Sequence, residues 1–227
     1  MNLYVIVEGD KTELNVYPAW MSLLAPQLMR ISDAWDITEN CYYLFSGGGI
    51  PHIFSHVQNA IADINSINAQ KEHGYDYLVV CLDTEESSRQ TILKRISDDM
   101  KAQKQTLRDT ELVVCEQQVC METWFLGNRM VFKDNPQSAA YRRCIQFFDV
   151  SRENPELMGS DDAELNRAQY HHMYLREMFK ERHMMYSKNN TKEVESESYL
   201  KQLISRYEET GHLVTFGNWF EFISSLK

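Results

Sequence analysis

The sequence has little that would mark a secreted or membrane protein. Its five cysteines are an odd number, and no two of them have the C-x-x-C spacing of a structural zinc site. No stretch reaches the roughly 20 apolar residues that a membrane-spanning helix needs. The apolar run at residues 3–7 lacks the basic start and the small-residue cleavage site of a signal peptide. We therefore expect a cytoplasmic protein whose cysteines are buried, reduced thiols.

Positive charge is also scarce. Lysine and arginine number 23 against 33 aspartates and glutamates, which gives a formal net charge of -10. Proteins that hold nucleic acid alone usually present a basic surface, because phosphate neutralisation supplies most non-specific affinity. In a chain of this net charge, such a surface would have to be a local basic patch. The alternative is that the cations are scattered over the surface. The residues concerned are Arg142, Arg143, Arg176, Lys180, Arg182 and Lys188. We predict that a protein partner or a homo-oligomer is needed for efficient binding of nucleic acid.

What the sequence does contain is a regular alternation of strand and helix signals in its first half. Apolar runs of strand length lie at residues 3–7, 41–45, 77–82 and 111–115, separated by helical patterns. Continuous apolar runs are typical of strands buried on both faces of a parallel sheet. We predict an α/β fold with a central, mainly parallel sheet flanked by helices over residues 1–126, and a mainly helical C-terminal part over residues 127–227.

Acidic residues follow these strands where α/β folds collect their chemistry, at the carboxyl ends. Glu8 follows the first run, Asp83 and Glu85 follow the third, and Glu122 lies a few residues beyond the fourth. Hard cations such as Mg²⁺ take oxygen ligands and are anchored by one or two carboxylates with waters. Converging strand ends would supply such carboxylates. The alternative for each residue is that it caps the following helix or complements its dipole.

Three motifs in this order resemble Toprim-type domains, and more narrowly the RloB-like proteins. Residues 7–13 read V-E-G-D-K-T-E, which resembles the family's E-G-x-x-T-E opening. Asp83-Thr84-Glu85 stands where the family has D-x-D, with Glu in place of the second Asp. Residues 122–126 match an E-x-W-x-L segment. The resemblance covers residues 3–126 and implies a Toprim-like fold, with relatives among topoisomerases, primases, OLD-type nucleases and bacterial defence proteins.

The resemblance also implies roles for the acidic residues. Asp83 and Glu85 would anchor Mg²⁺ or Mn²⁺, and Glu8 would be a further ligand or the general acid–base. Glu122 would be a further catalytic residue. The Glu at position 85 reaches one methylene further than the family's Asp, which alters the metal geometry.

The function so implied is a metal-dependent nuclease that cuts phosphodiesters of DNA or RNA, in bacterial anti-phage defence. Lys11 and Lys188 are candidates to stabilise charge on the scissile phosphate, with solvated surface lysines as the alternative. Two other functions stay open. One is a non-catalytic effector that works through a partner such as an ATPase, and the other is a phosphotransferase or phosphatase on a small nucleotide.

Two further motifs have structural explanations. Residues 46–49, S-G-G-G, open a helix and could present N–H groups to a phosphate, but they lack the Lys-Ser/Thr of a P-loop. We interpret them as a tight turn. His171, His172 and His183 suggest a metal, but adjacent histidines on a helix point in different directions and no third ligand has suitable spacing. The methionines at positions 173, 178, 184 and 185 suit either the core or an interface.

Overall fold

The computed structural model describes residues 1–84 and 88–226 of the chain. Glu85, one of the expected metal anchors, lies outside the described residues. The chain divides into two compact units. Among the described residues, the first unit holds 1–82, 88–116 and 222–226, and the second holds 83–84 and 117–221. Residues 117–126, which the sequence pattern places with the first domain, group with the second unit.

The fold is built on five strands, of which the sequence pattern predicts four. They are β1 (Asn2–Val7), β2 (Met29–Ile31), β3 (Cys41–Ser46), β4 (Tyr77–Asp83) and β5 (Glu111–Gln117). They form one parallel sheet in the order β2-β3-β1-β4-β5. The additional strand, β2, is three residues long, lies at the edge and is largely exposed, so it lacks the apolar pattern of a buried strand. The predicted α/β class with a parallel sheet is confirmed.

Helices connect the strands of the sheet. They are α1 (Thr12–Leu24), α2 (His52–Gln70) and α3 (Arg89–Ala102). Helix α2 shows why the pattern predicts them: its isoleucines, with Phe54 and Val57, recur at helical spacing and are buried in one core cluster with the sheet. Helix α1 continues through Pro18 and ends before Pro26.

The described part of the chain after residue 117 is mainly helical, as expected. Its helices are α4 (Met121–Phe125), α5 (Ala139–Phe147), α6 (Arg167–Lys180), α7 (Lys192–Glu195), α8 (Glu197–Thr210) and α9 (Val214–Ser225). The last of them, α9, begins at Val214 and ends at Ser225. Among the described residues, no helix has the length and apolar character needed to cross a membrane.

The register of the sheet determines where the acidic strand ends lie. Strand β1 pairs in parallel with β3 and with β4, and Val7 is opposite both Ser46 and Cys81. The first and third predicted runs are therefore neighbours in one sheet, and their carboxyl ends lie at the same edge. Glu8 directly follows β1, and Asp83 is the last residue of β4.

Candidate functional site

The backbone at Glu8 is held by the glycine-rich loop after β3. The carbonyl oxygen of Glu8 accepts hydrogen bonds from the Gly49 N–H (3.0 Å) and the Ser46 hydroxyl (3.4 Å). The Gly47 N–H donates to Val7 (2.7 Å), and the Gly48 N–H donates to the Ser46 hydroxyl (3.0 Å). The N–H groups of the three glycines thus donate to Val7, Ser46 and Glu8. These hydrogen bonds fit the tight-turn interpretation, and the loop fixes the backbone at Glu8.

Glu13 belongs to the same motif, and sequence reasoning gave it no role of its own. It lies in the first turn of α1, is buried, and its Oε1 accepts the Gly9 N–H at 3.0 Å. A Cβ atom at position 9 would lie 2.2 Å from Glu13 Oε2, so a side chain at Gly9 would displace the carboxylate. The last residue of the E-G-x-x-T-E motif therefore accepts a hydrogen bond from the second residue, and this bond holds the loop that follows β1. The signal that could have pointed to this role is a glutamate at a helical position that is buried.

A row of buried polar side chains, Tyr17, Cys81 and Cys115, connects α1 with β4 and β5. Burial, with added effects of Cys81, Cys115 and Glu13, raises the pKa of Tyr17 well above its ordinary value. The hydrogen bond to Cys115, together with burial, raises the pKa of Cys81 in the same way. The Cys81 thiol and the Tyr17 phenol therefore stay protonated at neutral pH. All five cysteines are free and buried, as predicted.

Lys11 precedes α1 directly and its side chain is exposed. A position at the start of α1 is compatible with contact to a substrate phosphate. That contact stays a prediction.

In the second unit, Asp83 and Glu122 both lie near Cys120. The Thr84 N–H and hydroxyl donate to the Gln117 carbonyl at 3.0 and 3.1 Å, which ties the end of β4 to the end of β5. Burial raises the pKa of the Cys120 thiol well above its usual value, and the charges of Glu122 and Asp83 raise it further. The two carboxylates therefore act on one buried thiol at the start of α4.

Glu122 is buried, with only 4% of its surface exposed. A carboxylate in such a place needs a hydrogen-bond donor, because burial without one is costly. The hydroxyl of Tyr186 supplies it, at 2.9 Å from Oε1. The Tyr186 ring is itself fixed by an edge contact with Phe125, at 5.7 Å between ring centroids. Tyr186 is a residue that the sequence analysis missed.

His172 extends this cluster. Its ring makes an edge contact with Tyr186, with centroids 5.8 Å apart. Burial lowers the pKa of His172, Glu122 raises it, and Arg176 and Lys188 lower it. Glu122 and Lys188, both expected to be catalytic, therefore surround the same imidazole. The buried Nε2 atom of His172 makes no hydrogen bond with any described residue.

The neighbouring His171 has a different, structural role. It is fully buried in α6, its Nδ1 lies 2.7 Å from the Thr123 hydroxyl, and its Nε2 lies 3.0 Å from the Met158 carbonyl. The carbonyl can only accept, so Nε2 carries the proton and Nδ1 accepts from Thr123. The two adjacent histidines are engaged in different surroundings, as the helical geometry predicted.

No three His, Cys, Asp or Glu side chains within residues 1–84 and 88–226 are placed to hold a metal ion together. The donors available to a cation at the sheet edge are carboxylate oxygens, with Glu85 outside the described residues. Such a set fits Mg²⁺ or Mn²⁺ in kind, because Mg²⁺ keeps several waters and needs only one or two carboxylates. It does not suit a cation that demands nitrogen or sulfur ligands.

Three of the six basic residues considered for nucleic-acid binding have partners within the protein: Arg143, Lys180 and Arg182. Arg182 donates to the carbonyls of Val131 (3.0 Å) and Phe132, and Arg143 pairs with Asp161 at 3.0 Å. Lys180 pairs with Glu177. Arg142, Arg176 and Lys188 are exposed.

The methionines considered for an interface differ in their exposure. Met178 is fully buried and belongs to the core, so it does not line an interface. Met185 is 76% exposed.

Comparison with known proteins adds no relative: no family model, no curated protein and no solved structure matches the chain.

Proposed function

We propose that this chain is a metal-dependent nuclease of the Toprim type, which hydrolyses phosphodiesters of DNA or RNA as an effector of bacterial anti-phage defence. One observation supports it most. Strands β1 and β4 are parallel neighbours with Val7 opposite Cys81, so Glu8 and Asp83 follow strand ends at one edge of the sheet. Such edges are where α/β enzymes place their chemistry.

In this proposal Asp83 and Glu8, with Glu85, hold Mg²⁺ or Mn²⁺. The ion, when bound, supplies positive charge to the phosphodiester oxygens and acidifies a water. Glu8 also serves as the general acid–base, since the loop of residues 46–49 fixes its backbone. Lys188 and Lys11 bind and orient the phosphate. Glu122 is a further catalytic residue, and the Tyr186 hydroxyl holds its buried carboxylate in place by a hydrogen bond.

A second candidate function is a non-catalytic effector that acts through a partner such as an ATPase. Two observations favour it: the net charge of -10, and Glu85 in the place of the second Asp of the D-x-D motif. An efficient nuclease would then need a partner or a homo-oligomer to bring nucleic acid to the sheet edge.

The experiment is a cleavage assay on plasmid, single-stranded DNA, transfer RNA and nucleotides, with Mg²⁺, with Mn²⁺ or with EDTA. Glu8→Gln and Asp83→Asn are the test variants. Glu72→Gln is the matched control, because Glu72 is exposed and precedes β4, at the opposite edge of the sheet. We expect metal-dependent products from the wild type and Glu72→Gln, and none from the test variants.

Equal cleavage by all four proteins would indicate a contaminant and would overturn the proposal. Hydrolysis of nucleotides alone would support the small-nucleotide alternative. Loss of all cleavage, with tight binding to a partner, would support the non-catalytic effector.

A further inference from the structure

The second unit contains a pocket whose lining is drawn from three segments: residues 128–131, residues 182–184 and residues 193–202. Its volume is about 340 Å³, which lies within the range of small-molecule sites. Met130, Val131 and Met184 give it apolar walls. None of the residues proposed to hold the metal ion lines this pocket, so it is a separate feature of the molecule.

Asn128 supplies a hydrogen-bond donor at this pocket. The residue is only 2% exposed, and its Oδ1 accepts the N–H groups of Met130 (2.9 Å) and Val131 (3.3 Å). Because only the oxygen of an amide can accept, these two bonds fix its orientation. The Nδ2 group is left without a hydrogen bond to any residue that the structure describes. Since Asn128 lines the pocket, an acceptor on a bound ligand would meet this donor.

Two opposite charges also line the pocket, and they do not pair with each other. Arg182 uses Nε and Nη2 for the carbonyls of Val131 and Phe132, which leaves Nη1 without a partner in the described part of the chain. The Glu193 carboxylate likewise has no hydrogen bond or ion pair with a described residue. Arginine can only donate and an ionised glutamate can only accept. A ligand that suits both must therefore present acceptors and donors.

We propose that this pocket binds a guanine base. Guanine carries N1–H and N2–H side by side, which match the two oxygens of one carboxylate such as that of Glu193. Its O6 and N7 are acceptors, which match the N–H groups of Arg182 and Asn128. Adenine, cytosine and uracil lack two adjacent N–H groups of this kind. The faces of a planar base also suit the thioethers of Met130 and Met184.

The guanine would come from a single strand, because a base inside a duplex cannot enter a pocket without leaving its stack. The pocket would then set which strands the protein holds and where it cuts them. This assignment to a nucleic-acid substrate rests on the proposed nuclease function, whereas the binding of guanine itself does not.

The first test is an NMR titration in EDTA with the monophosphates of guanosine, inosine and uridine. Inosine lacks only the N2 amino group, so the difference between guanosine and inosine measures the contact made by that group. We expect guanosine monophosphate to shift the side-chain NH₂ signal of Asn128 and to bind about tenfold more tightly than inosine monophosphate. An unmoved Asn128 signal, or equal binding of the three nucleotides, would overturn the proposal.

Two variants test the individual contacts. Glu193→Gln should lose most of the preference for guanosine over inosine. Glu208→Gln, which removes the same charge at an exposed position of α8, should keep it. Asn128→Asp keeps the oxygen that the backbone N–H groups need but loses the donor, so it should fold and weaken guanosine binding about tenfold. Asn59→Asp adds the same charge at an exposed position of α2 and should bind like the wild type.

A Glu193→Gln variant with the full preference, or an Asn128→Asp variant with unchanged affinity, would overturn the assigned contacts. The melting temperature of each variant, measured beside its control, shows that a loss of binding is not a loss of folding.

The last test separates a free nucleotide from a strand. Fluorescence anisotropy in EDTA at low salt measures binding of a uridine-rich single strand of RNA that carries one guanosine or one inosine at the same position. We expect the guanosine strand to bind more tightly in the wild type, and the two strands to bind equally in Glu193→Gln.

The outcomes distinguish this proposal from the nuclease. If guanosine monophosphate binds in the pocket but the strand does not, the nucleic-acid assignment is wrong and the pocket is a nucleotide site. If guanine binds but no substrate is cut with Mg²⁺ or Mn²⁺, the nuclease proposal fails and the pocket stands. If strands are cut but neither nucleotide nor strand binding depends on guanine, the nuclease stands and the pocket proposal fails.

Discussion

The hydroxyl of Tyr186 donates a hydrogen bond of 2.9 Å to the carboxylate of Glu122, across 64 residues of sequence. Both side chains are buried. The bond joins the E-x-W-x-L segment to Tyr186, which lies outside the residues 3–126 that the Toprim resemblance covers. It makes Glu122 a fixed acidic group beside His172 and near Cys120.

Removing this donor should destabilise the protein. Tyr186→Phe leaves a buried carboxylate without its hydroxyl partner, so we expect the free energy of unfolding to fall by about 1.5–3 kcal/mol. Tyr207→Phe is the matched control, because the Tyr207 hydroxyl also donates to a glutamate, Glu221, but at the surface. It should cost about 0.5 kcal/mol or less. Urea unfolding measures both, and equal losses would contradict the role given to Tyr186.

Metal ions should stabilise the wild type more than its sheet-edge variants. Glu8→Gln and Asp83→Asn remove an expected ligand, and they also relieve repulsion between carboxylates, so their stability without metal should change little or improve. Because a ligand bound only to the folded state raises the melting temperature, Mg²⁺ or Mn²⁺ should raise that of the wild type and of Glu72→Gln most. Differential scanning fluorimetry with and without metal tests this. An equal shift in every protein would count against a specific site.

His171 should make the protein sensitive to mild acid. Burial, with a smaller effect of the Arg167 charge, lowers its pKa from 6.5 to about 4, despite the hydrogen bond to Met158. Between these values the unfolded chain binds more protons than the folded one, so stability is complete above pH 6.5 and is lost as the pH falls towards 4. The loss attributable to His171 should approach about 3 kcal/mol.

The measurement is urea unfolding at several pH values for the wild type and two variants. His171→Gln retains groups that can pair with Thr123 and Met158, so it should fold, with lower stability at neutral pH and a shallower pH dependence. His183→Gln removes an exposed imidazole and should follow the wild type. A His171→Gln profile parallel to the wild type would refute the linkage.

Arg206 should contribute strongly to the folding stability of the second unit. Its side chain has no exposed surface, and it donates to the carbonyls of Ser151 (2.8 Å), Glu153 (2.9 Å) and Val150 (3.2 Å). Arg206→Met leaves these acceptors unpaired, and we expect a loss of about 3–5 kcal/mol. Arg152→Met, at a surface arginine, should cost about 0.5 kcal/mol or less. Chemical denaturation measures both, and a small loss in Arg206→Met would contradict the assignment.

Nucleic-acid binding by the isolated chain should be weak at physiological salt. The net charge of -10 opposes the approach of a polyanion, and local basic patches offset it only in part. A salt series of binding to DNA and RNA, on protein shown to be monomeric, is the measurement. Tight binding by the monomer, with a steep salt dependence, would show that no partner or homo-oligomer is needed.

The sequence by itself determined the class of the fold and the strand ends. Apolar runs of strand length, alternating with helical spacing, are local signals, and they predict four of the five strands and the helices between them. The same pattern places Glu8 and Asp83 at strand ends, whereas the pairing of β1 with β4, which brings those ends to one edge, is given by the structure. The sequence pattern did not predict strand β2 because it is only three residues long and largely exposed, and its pairing with β3 makes it a strand.

Only the tertiary structure decided which side chains surround Glu122. Tyr186 and His172 meet it from distant parts of the chain, and a contact between distant residues leaves no periodic pattern in the sequence. The same holds for Lys188: its charge is visible in the sequence, but its place beside His172 depends on how α6 and the segment after it pack. Local periodicity encodes which face of an element is buried, whereas the partner that buries it is chosen when the chain folds.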